Sequence, residues 1–133
     1  MARILVVDGE DGARDACCEG LRSDGHVVIA AGKAAEALEA VRQQVPDLVV
    51  IDVGPPCKDG LGIVGELFAL GREMRIVLHT AHMLYKDDFR SWLADAYVLK
   101  SGDTTALRDA VRDVLARSRR GRAEARHEVT TAA

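Results

Sequence analysis

Five short apolar segments alternate with amphipathic helical patterns along this chain. The apolar segments cover residues 4–7, 27–30, 48–51, 76–78 and 96–99. In the intervening segments, apolar residues recur at the i, i+3, i+4 spacing that predicts helices, the fourth and shortest of them near 87–93. The segment at 48–51 has no polar alternation, as is typical of a strand buried on both faces of a parallel sheet. The pattern therefore predicts an α/β fold, a flavodoxin-like doubly wound (βα)5 domain with a five-stranded parallel sheet.

The length and the charge distribution fit one acidic domain followed by a basic tail. A chain of 133 residues suits one hydrophobic core, which we assign to residues 1–118. Residues 1–116 carry 13 basic and 19 acidic side chains, whereas residues 117–133 carry five basic and two acidic ones. We expect the tail at 119–133 to be disordered. The acidic body disfavours direct binding of nucleic acid.

The sequence gives no signal for a membrane, a secretion route or a cysteine framework. No apolar stretch approaches the roughly 20 residues of a membrane span, and the N-terminus lacks the features of a signal peptide. A cytoplasmic location is the expectation. Three cysteines without a CxxC spacing argue against disulfides and zinc, and Cys17 and Cys18 are expected to pack as small apolar side chains.

Polar residues stand at the ends of four of the predicted strands. Asp8 follows the first strand, Asp52 follows the third, Thr80 ends the fourth and Lys100 follows the fifth. In an open parallel sheet, ligands bind outside the carboxyl ends of the strands, so these four side chains are expected to meet in one pocket.

The chemistry of such a pocket is narrow. Clustered carboxylates repel one another unless a cation or a proton relieves them, and Mg²⁺ prefers oxygen ligands. A lysine and a metal ion together neutralise a phosphoryl group, and an aspartate serves as a nucleophile that forms an acyl phosphate. The residue set therefore favours phosphoryl chemistry at the strand ends.

Four motifs make the chain resemble a response-regulator receiver domain of the two-component systems, from residue 2 to about 118. They are Ile-Leu-Val-Val-Asp-Gly-Glu at 4–10, Asp-Leu-Val-Val-Ile-Asp-Val-Gly-Pro-Pro-Cys-Lys-Asp-Gly-Leu at 47–61, Leu-His-Thr-Ala at 78–81 and Ala-Tyr-Val-Leu-Lys at 96–100. The resemblance implies that Asp52 is the phosphoacceptor and that Lys100 pairs with the phosphate. It also implies that Thr80 is the switch hydroxyl and Tyr97 the rotating aromatic residue.

The resemblance further implies a Mg²⁺ site, and here the chain departs from the family. The implied ligands are Asp8, Asp52 and the main-chain carbonyl of Gly54. The family carries a second acid directly after the first, where this chain has Gly9. Losing that ligand is expected to weaken metal binding, with Glu10 or Asp11 as the alternative contributor.

A second departure is smaller. Ser101 stands where many members of the family have a proline after the lysine. Because some members lack that proline, Ser101 changes the interpretation less than Gly9 does.

Three functions remain open at this point. The first is a receiver that accepts phosphate from a histidine kinase or phosphotransfer protein and signals by protein–protein contact around the fourth helix and fifth strand. Such a domain is not an enzyme beyond its own phosphotransfer and dephosphorylation. The second is a degenerate receiver that acts as a phosphorylation-independent interaction module. The third, a phosphohydrolase or flavin-binding protein, is disfavoured because Gly54 stands where a second catalytic acid would follow Asp52.

Overall fold

The computed structural model describes residues 1–52, 60–69, 74–81, 94–117 and 129–130. Strands and helices alternate through most of this part of the chain. Their bounds are β1 Arg3–Val7, α1 Asp11–Ser23, β2 Val27–Ala31, α2 Ala34–Gln43, β3 Leu48–Ile51, α3 Gly60–Ala69, β4 Arg75–Thr80, β5 Ala96–Leu99, α4 Thr105–Ala116 and β6 Val129–Thr130.

The strands form one parallel sheet in the order β2-β1-β3-β4-β5-β6. The first five strands confirm the predicted flavodoxin-like sheet, and each predicted apolar segment forms a strand. The order reverses direction beside β1, which creates the switch point at which β1 and β3 lie next to each other. Strand β6 is an addition that the sequence analysis did not predict, and it lies within the tail that was expected to be disordered.

Two apolar layers hold the helices against the two faces of the sheet. Cys17, Cys18 and Leu21 of α1 and Val111 and Val114 of α4 share one layer. Ala37 and Val41 of α2 and Leu67 of α3 belong to the other. Strand β3 is buried along its whole length, in agreement with its unbroken apolar sequence. The prediction that Cys17 and Cys18 pack as small apolar side chains is confirmed, since both are buried in this layer.

Helices α1 and α4 are also joined at the end of the sheet opposite the carboxyl ends of the strands. Asp24, directly after α1, accepts two hydrogen bonds from Arg108 of α4, with distances of 2.6 Å and 3.0 Å. The next residue, Gly25, has a φ of +92°, in the region that favours glycine. This backbone turn allows the chain to leave α1 and enter β2, and the Asp24–Arg108 pair holds the end of α1 against α4.

Parts of the sequence interpretation fall outside the described residues. These are the helix expected near 87–93, the loop that contains Gly54 and most of the tail at 119–133. Because the expected fourth helix lies outside the described residues, the label α4 is used for the helix Thr105–Ala116. Within the described ranges, no helix is long and apolar enough to cross a membrane.

Candidate functional site at the strand ends

Backbone hydrogen bonds align the ends of neighbouring strands. The N–H of Asp8 donates to Ala31 O (3.0 Å), and the N–H of Asp52 donates to Val7 O (2.8 Å). The N–H of Lys100 donates to Thr80 O (2.7 Å). Each polar residue therefore continues the ladder of its strand by one more bond, which holds its side chain at the carboxyl edge of the sheet.

The structure brings Asp8, Asp52 and Lys100 into direct contact. Lys100 Nζ lies 3.0 Å from Asp8 Oδ2 and 3.5 Å from Asp52 Oδ1. The two aspartates are 2% and 4% exposed, and the lysine side chain is 17% exposed. Three of the four residues predicted from the strand ends thus form one buried charged group with two carboxylates and one ammonium.

Burial and the neighbouring charges both act on the pKa values of Asp52 and Lys100. Burial raises the pKa of Asp52 to about 7; Lys100 opposes this shift, and the neighbouring carboxylate of Asp8 adds to it. Burial lowers the pKa of Lys100, but its hydrogen bond to Asp8 and the charge of Asp52 outweigh burial, so the net shift is upward. The ammonium therefore stays charged while Asp52 holds a proton near neutral pH for part of the time.

Gly9 lies in a tight turn directly after β1. Asp8 Oδ1 accepts a hydrogen bond from the N–H of Glu10 (2.9 Å), which closes a tight turn over Gly9. Asp11 forms an exposed ion pair with Arg14 at 2.6 Å, and its side chain is 87% exposed. Glu10 is also exposed. Asp11 would have to give up its partner to bind a metal ion, and the role of Glu10 as a ligand stays a prediction.

Arg14 is a residue that the sequence interpretation missed. Its Nη1 donates to the carbonyl oxygen of Asp8 (3.0 Å), while its Nη2 donates to Asp11 (2.6 Å). It therefore ties the first turn of α1 to the end of β1 and fixes the backbone of Asp8. The i, i+3 spacing of Asp11 and Arg14 on a predicted helix was the available signal for the pair.

Thr80 and Tyr97 lie on adjacent strands within the core. Thr80 is the last residue of β4 and is fully buried, at the same edge as the charged group. Tyr97 pairs in register with Leu78 of β4 and is buried in the layer that includes Leu78 and Met74. The structure thus places the hydroxyl and the aromatic residue on the two strands that lead to Thr80 and Lys100.

A buried thiol and imidazole lie beneath the charged group. Cys17 Sγ lies 3.7 Å from His79 Nδ1. Burial raises the pKa of the Cys17 thiol to about 12, which keeps it protonated. Burial and the charge of Lys100 lower the pKa of His79 to about 4, against an opposing effect of Asp8. Both side chains are therefore neutral near neutral pH, and they are 62 residues apart in sequence, too far for local patterning to reveal their contact.

The donor set offers oxygen ligands to Mg²⁺. Two buried carboxylates supply the kind of ligand that Mg²⁺ prefers, and burial, together with the charge of Asp8, raises the pKa of Asp52. However, Asp8 already binds Lys100 and the N–H of Glu10. Among the described residues, no group of three or more His, Cys, Asp or Glu side chains could hold a metal.

Comparison with known proteins identifies the family. The sequence matches the response regulator receiver domain over residues 4–112. The chain belongs to this family, in agreement with the resemblance carried by its four motifs.

The similarity extends to curated relatives. The two-component response regulator PhoP of Pseudomonas aeruginosa is 35% identical over 118 residues, which cover 87% of this chain and 52% of PhoP. Sporulation initiation phosphotransferase F of Bacillus subtilis is 28% identical over 115 residues, which cover 85% of this chain and 93% of that protein. The chain thus spans about half the length of PhoP and nearly the whole of the phosphotransferase.

Two solved structures have a fold similar to that of this chain. Response regulator protein TrrA of Thermotoga maritima, crystallised in complex with Mg²⁺–BeF, superposes with a TM-score of 0.80 at 36% identity, covering 86% of this chain and 99% of TrrA. A second structure, of histidine kinase ThkA in complex with TrrA, contains a neighbour with a TM-score of 0.78 at 36% identity, covering 87% of this chain and 100% of TrrA.

Proposed function

We propose that this receiver domain accepts a phosphoryl group on Asp52 from a histidine kinase or a phosphotransfer protein. The observation that carries the proposal is the contact of Lys100 Nζ with Asp8 and Asp52, at 3.0 Å and 3.5 Å. The arrangement gives a buried nucleophile a fixed cation beside it, at the sheet edge where α/β proteins bind ligands. The crystal structures of TrrA with Mg²⁺–BeF and with ThkA support this class of chemistry and of partner.

In the proposed reaction, a carboxylate oxygen of Asp52 attacks the phosphorus of a phosphohistidine. The P–N bond breaks as the new P–O bond forms, which leaves an acyl phosphate on Asp52 and a free imidazole on the donor. Lys100 keeps its positive charge beside the incoming phosphoryl oxygens. Thr80, at the end of β4, would donate its hydroxyl to one of these oxygens. Because the phosphoryl group is transferred to Asp52 of the domain itself, we do not propose an enzyme with a separate substrate.

Magnesium is the proposed cofactor, and Asp8 and Asp52 would hold it, with the Gly54 carbonyl implied by the family. When bound, the ion would supply the positive charge that the pair of carboxylates lacks. Because Gly9 has no side chain and Asp8 is already engaged, we propose weak binding.

Signalling would follow from the two strands that carry Thr80 and Tyr97. A phosphoryl group that draws Thr80 toward Asp52 would open space near Tyr97, and the surface around β5 and the segment near 87–93 would change for a downstream protein. We further propose a cytoplasmic location, as the sequence analysis led us to expect.

The test is titration with beryllofluoride in the presence of millimolar Mg²⁺, followed by two-dimensional NMR. Shifts centred on Asp52, Thr80 and Lys100, absent in Asp52→Asn, are expected. If no shift appears near Asp52 even in Gly9→Asp, which restores the acid, then the phosphoacceptor role is wrong. Shifts in Gly9→Asp but not in the wild type would mean that the phosphoacceptor site is intact and that only the metal binding of the wild type is too weak.

A second candidate, an interaction module that works without phosphorylation, is favoured by Gly9. In that case the downstream protein would bind the wild type and Asp52→Asn equally. A phosphorylation-dependent change in binding, measured by calorimetry, would contradict it.

A further inference from the structure

The guanidinium of Arg14 spans the turn that contains Gly9. Its Nη1 donates to the carbonyl oxygen of Asp8 (3.0 Å), on one side of the glycine, and its Nη2 donates to Asp11 Oδ1 (2.6 Å), on the other side. Glycine has more backbone freedom than any other residue, so a turn built on it gains most from an external tie. We call these two contacts the Arg14 clamp.

Gly32, the first residue after β2, leaves the space in which the Arg14 guanidinium lies. A Cβ atom at this position would lie 3.1 Å from Arg14 Nη1 and 3.9 Å from Arg14 Cζ. The first of these distances is tighter than an ordinary van der Waals contact, so a side chain here would press on the guanidinium. The Arg14 side chain is 20% exposed, whereas its partner Asp11 is 87% exposed. The ends of β1 and β2 therefore hold the guanidinium in place more firmly than the exposed ion pair does.

All four polar atoms of Asp8 are bonded, and Arg14 holds one of them. The N–H of Asp8 donates to Ala31 O (3.0 Å). Its Oδ1 accepts from the N–H of Glu10 (2.9 Å), and its Oδ2 accepts from Lys100 Nζ (3.0 Å). The carbonyl oxygen that Arg14 holds belongs to the peptide bond that leads into the turn. Fixing this oxygen therefore fixes the direction in which the chain leaves β1, and with it the orientation of the Asp8 carboxylate.

The orientation of the Asp8 carboxylate matters because it holds Lys100 beside Asp52. Lys100 Nζ lies closer to Asp8, at 3.0 Å, than to Asp52, at 3.5 Å. The shorter contact anchors the ammonium group, so a carboxylate of Asp8 that turned away would carry the positive charge away from Asp52. A charge fixed in advance stabilises a transferred phosphoryl group more than a charge that must first be brought into position.

We propose that Arg14 is a positioning residue for phosphoryl transfer: it holds the backbone of Asp8 so that the Asp8 carboxylate keeps Lys100 beside Asp52. Arg14 acts through Asp8 and is not itself a catalytic residue. The clamp needs the two-pronged guanidinium and not only its charge, because its two acceptors lie on either side of the turn. This inference rests on the proposed phosphoacceptor role of Asp52.

The first experiment measures amide hydrogen exchange in the full chain, with a chelator present and without phosphate. The amide of Glu10, which bonds the Asp8 carboxylate, should exchange about tenfold faster or more in Arg14→Met. It should keep the wild-type rate in Arg42→Met, the matched control at an exposed arginine of α2. The amide of Leu21, near the other end of α1, should not change. Equal exchange of the Glu10 amide in the wild type and Arg14→Met, or an equal rise at Leu21, would overturn the proposal.

The second experiment measures the initial rate at which acetyl phosphate modifies Asp52 at saturating Mg²⁺. The rate is expected to fall about tenfold in Arg14→Met. It should fall by a smaller factor in Gly32→Ala, which keeps the charge of Arg14 but displaces the guanidinium. Gly12→Ala, whose added Cβ meets nothing within 4 Å, is the matched control and should keep the wild-type rate. Equal rates for the two glycine variants would mean that the position of the guanidinium does not matter, and would overturn the inference.

Arg14→Lys separates the geometry of the clamp from its charge. The ammonium keeps the positive charge but lacks the rigid fork, so the rate should stay near that of Arg14→Met. A wild-type rate in Arg14→Lys or in Arg14→Met would overturn the inference and leave the role of Asp52 intact. If neither the wild type nor Gly9→Asp is modified, the phosphoacceptor role itself is wrong, and the inference is wrong with it.

Discussion

Lys100 Nζ lies 3.0 Å from Asp8 Oδ2, and this bond joins the end of β5 to the end of β1 across the two strands between them. The lysine thereby compensates two buried carboxylates that belong to different strands. The same bond occupies Asp8, which the family resemblance assigns to the metal. A metal ion held by Asp8 and Asp52, as proposed, would therefore have to share these two acids with Lys100.

Replacing Lys100 should destabilise the metal-free domain. Lys100→Gln leaves Asp8 and Asp52 buried beside each other without a counter-charge. Since the lysine side chain is partly exposed, the free energy of unfolding is expected to fall by about 3 kcal/mol, the low end for a buried ion pair. Lys33→Gln, at an exposed lysine before α2, is the matched control and should change it by less than about 0.5 kcal/mol. Urea unfolding with a chelator present measures both. A loss in Lys100→Gln no larger than in Lys33→Gln would show that the contact contributes nothing to stability.

Restoring the missing acid should strengthen metal binding. Gly9→Asp adds a third carboxylate next to Asp8, and the affinity for Mg²⁺ is expected to rise by at least about tenfold, or about 1.4 kcal/mol. Gly12→Asp adds the same charge on the exposed start of α1 and should leave the affinity nearly unchanged. Calorimetric titration with MgCl₂ compares the three proteins. If Gly9→Asp and the wild type bind Mg²⁺ equally, the proposal that Gly9 weakens metal binding is wrong.

The buried imidazole of His79 predicts a specific loss of stability in acid. The folded domain holds His79 neutral with a pKa of about 4, whereas the unfolded chain takes up a proton near its ordinary value of 6.5. Because the unfolded state binds more protons between these values, stability falls as the pH drops from 6.5 to 4, by up to about 3 kcal/mol, and no further below 4.

His79→Leu should remove this component. The difference in the free energy of unfolding between wild type and His79→Leu is expected to shift in favour of the variant as the pH falls through that window. The imidazole is surrounded by Cys17, Lys100 and Asp8. The contribution of His79 is therefore obtained from the difference between the unfolding free energies of the two proteins, and not from either pH curve alone. Denaturant unfolding at several pH values measures it, and parallel curves for the two proteins would contradict the assignment.

The strand ends were predictable from sequence because short apolar runs fix where a parallel strand stops. Asp8, Asp52 and Lys100 directly follow such runs, and Thr80 lies two residues beyond its run. Parallel pairing of the strands then brings these residues to one edge of the sheet. Strand β6 was not predictable, since two residues carry no periodicity. The Cys17–His79 contact depends on how α1 packs on β4, and this packing cannot be predicted from the local pattern of apolar residues. The role of Gly54 stays a prediction, because its loop lies outside the described residues.

The central claim is that Asp52 receives the phosphoryl group, and intact-protein mass spectrometry after incubation with acetyl phosphate and Mg²⁺ tests it most directly. The account predicts a mass increase of one phosphoryl group in the wild type, a larger modified fraction in Gly9→Asp and none in Asp52→Asn. Tandem fragmentation after borohydride trapping should place the modification at residue 52. Failure of both the wild type and Gly9→Asp to become modified, or equal modification of Asp52→Asn, would contradict the account.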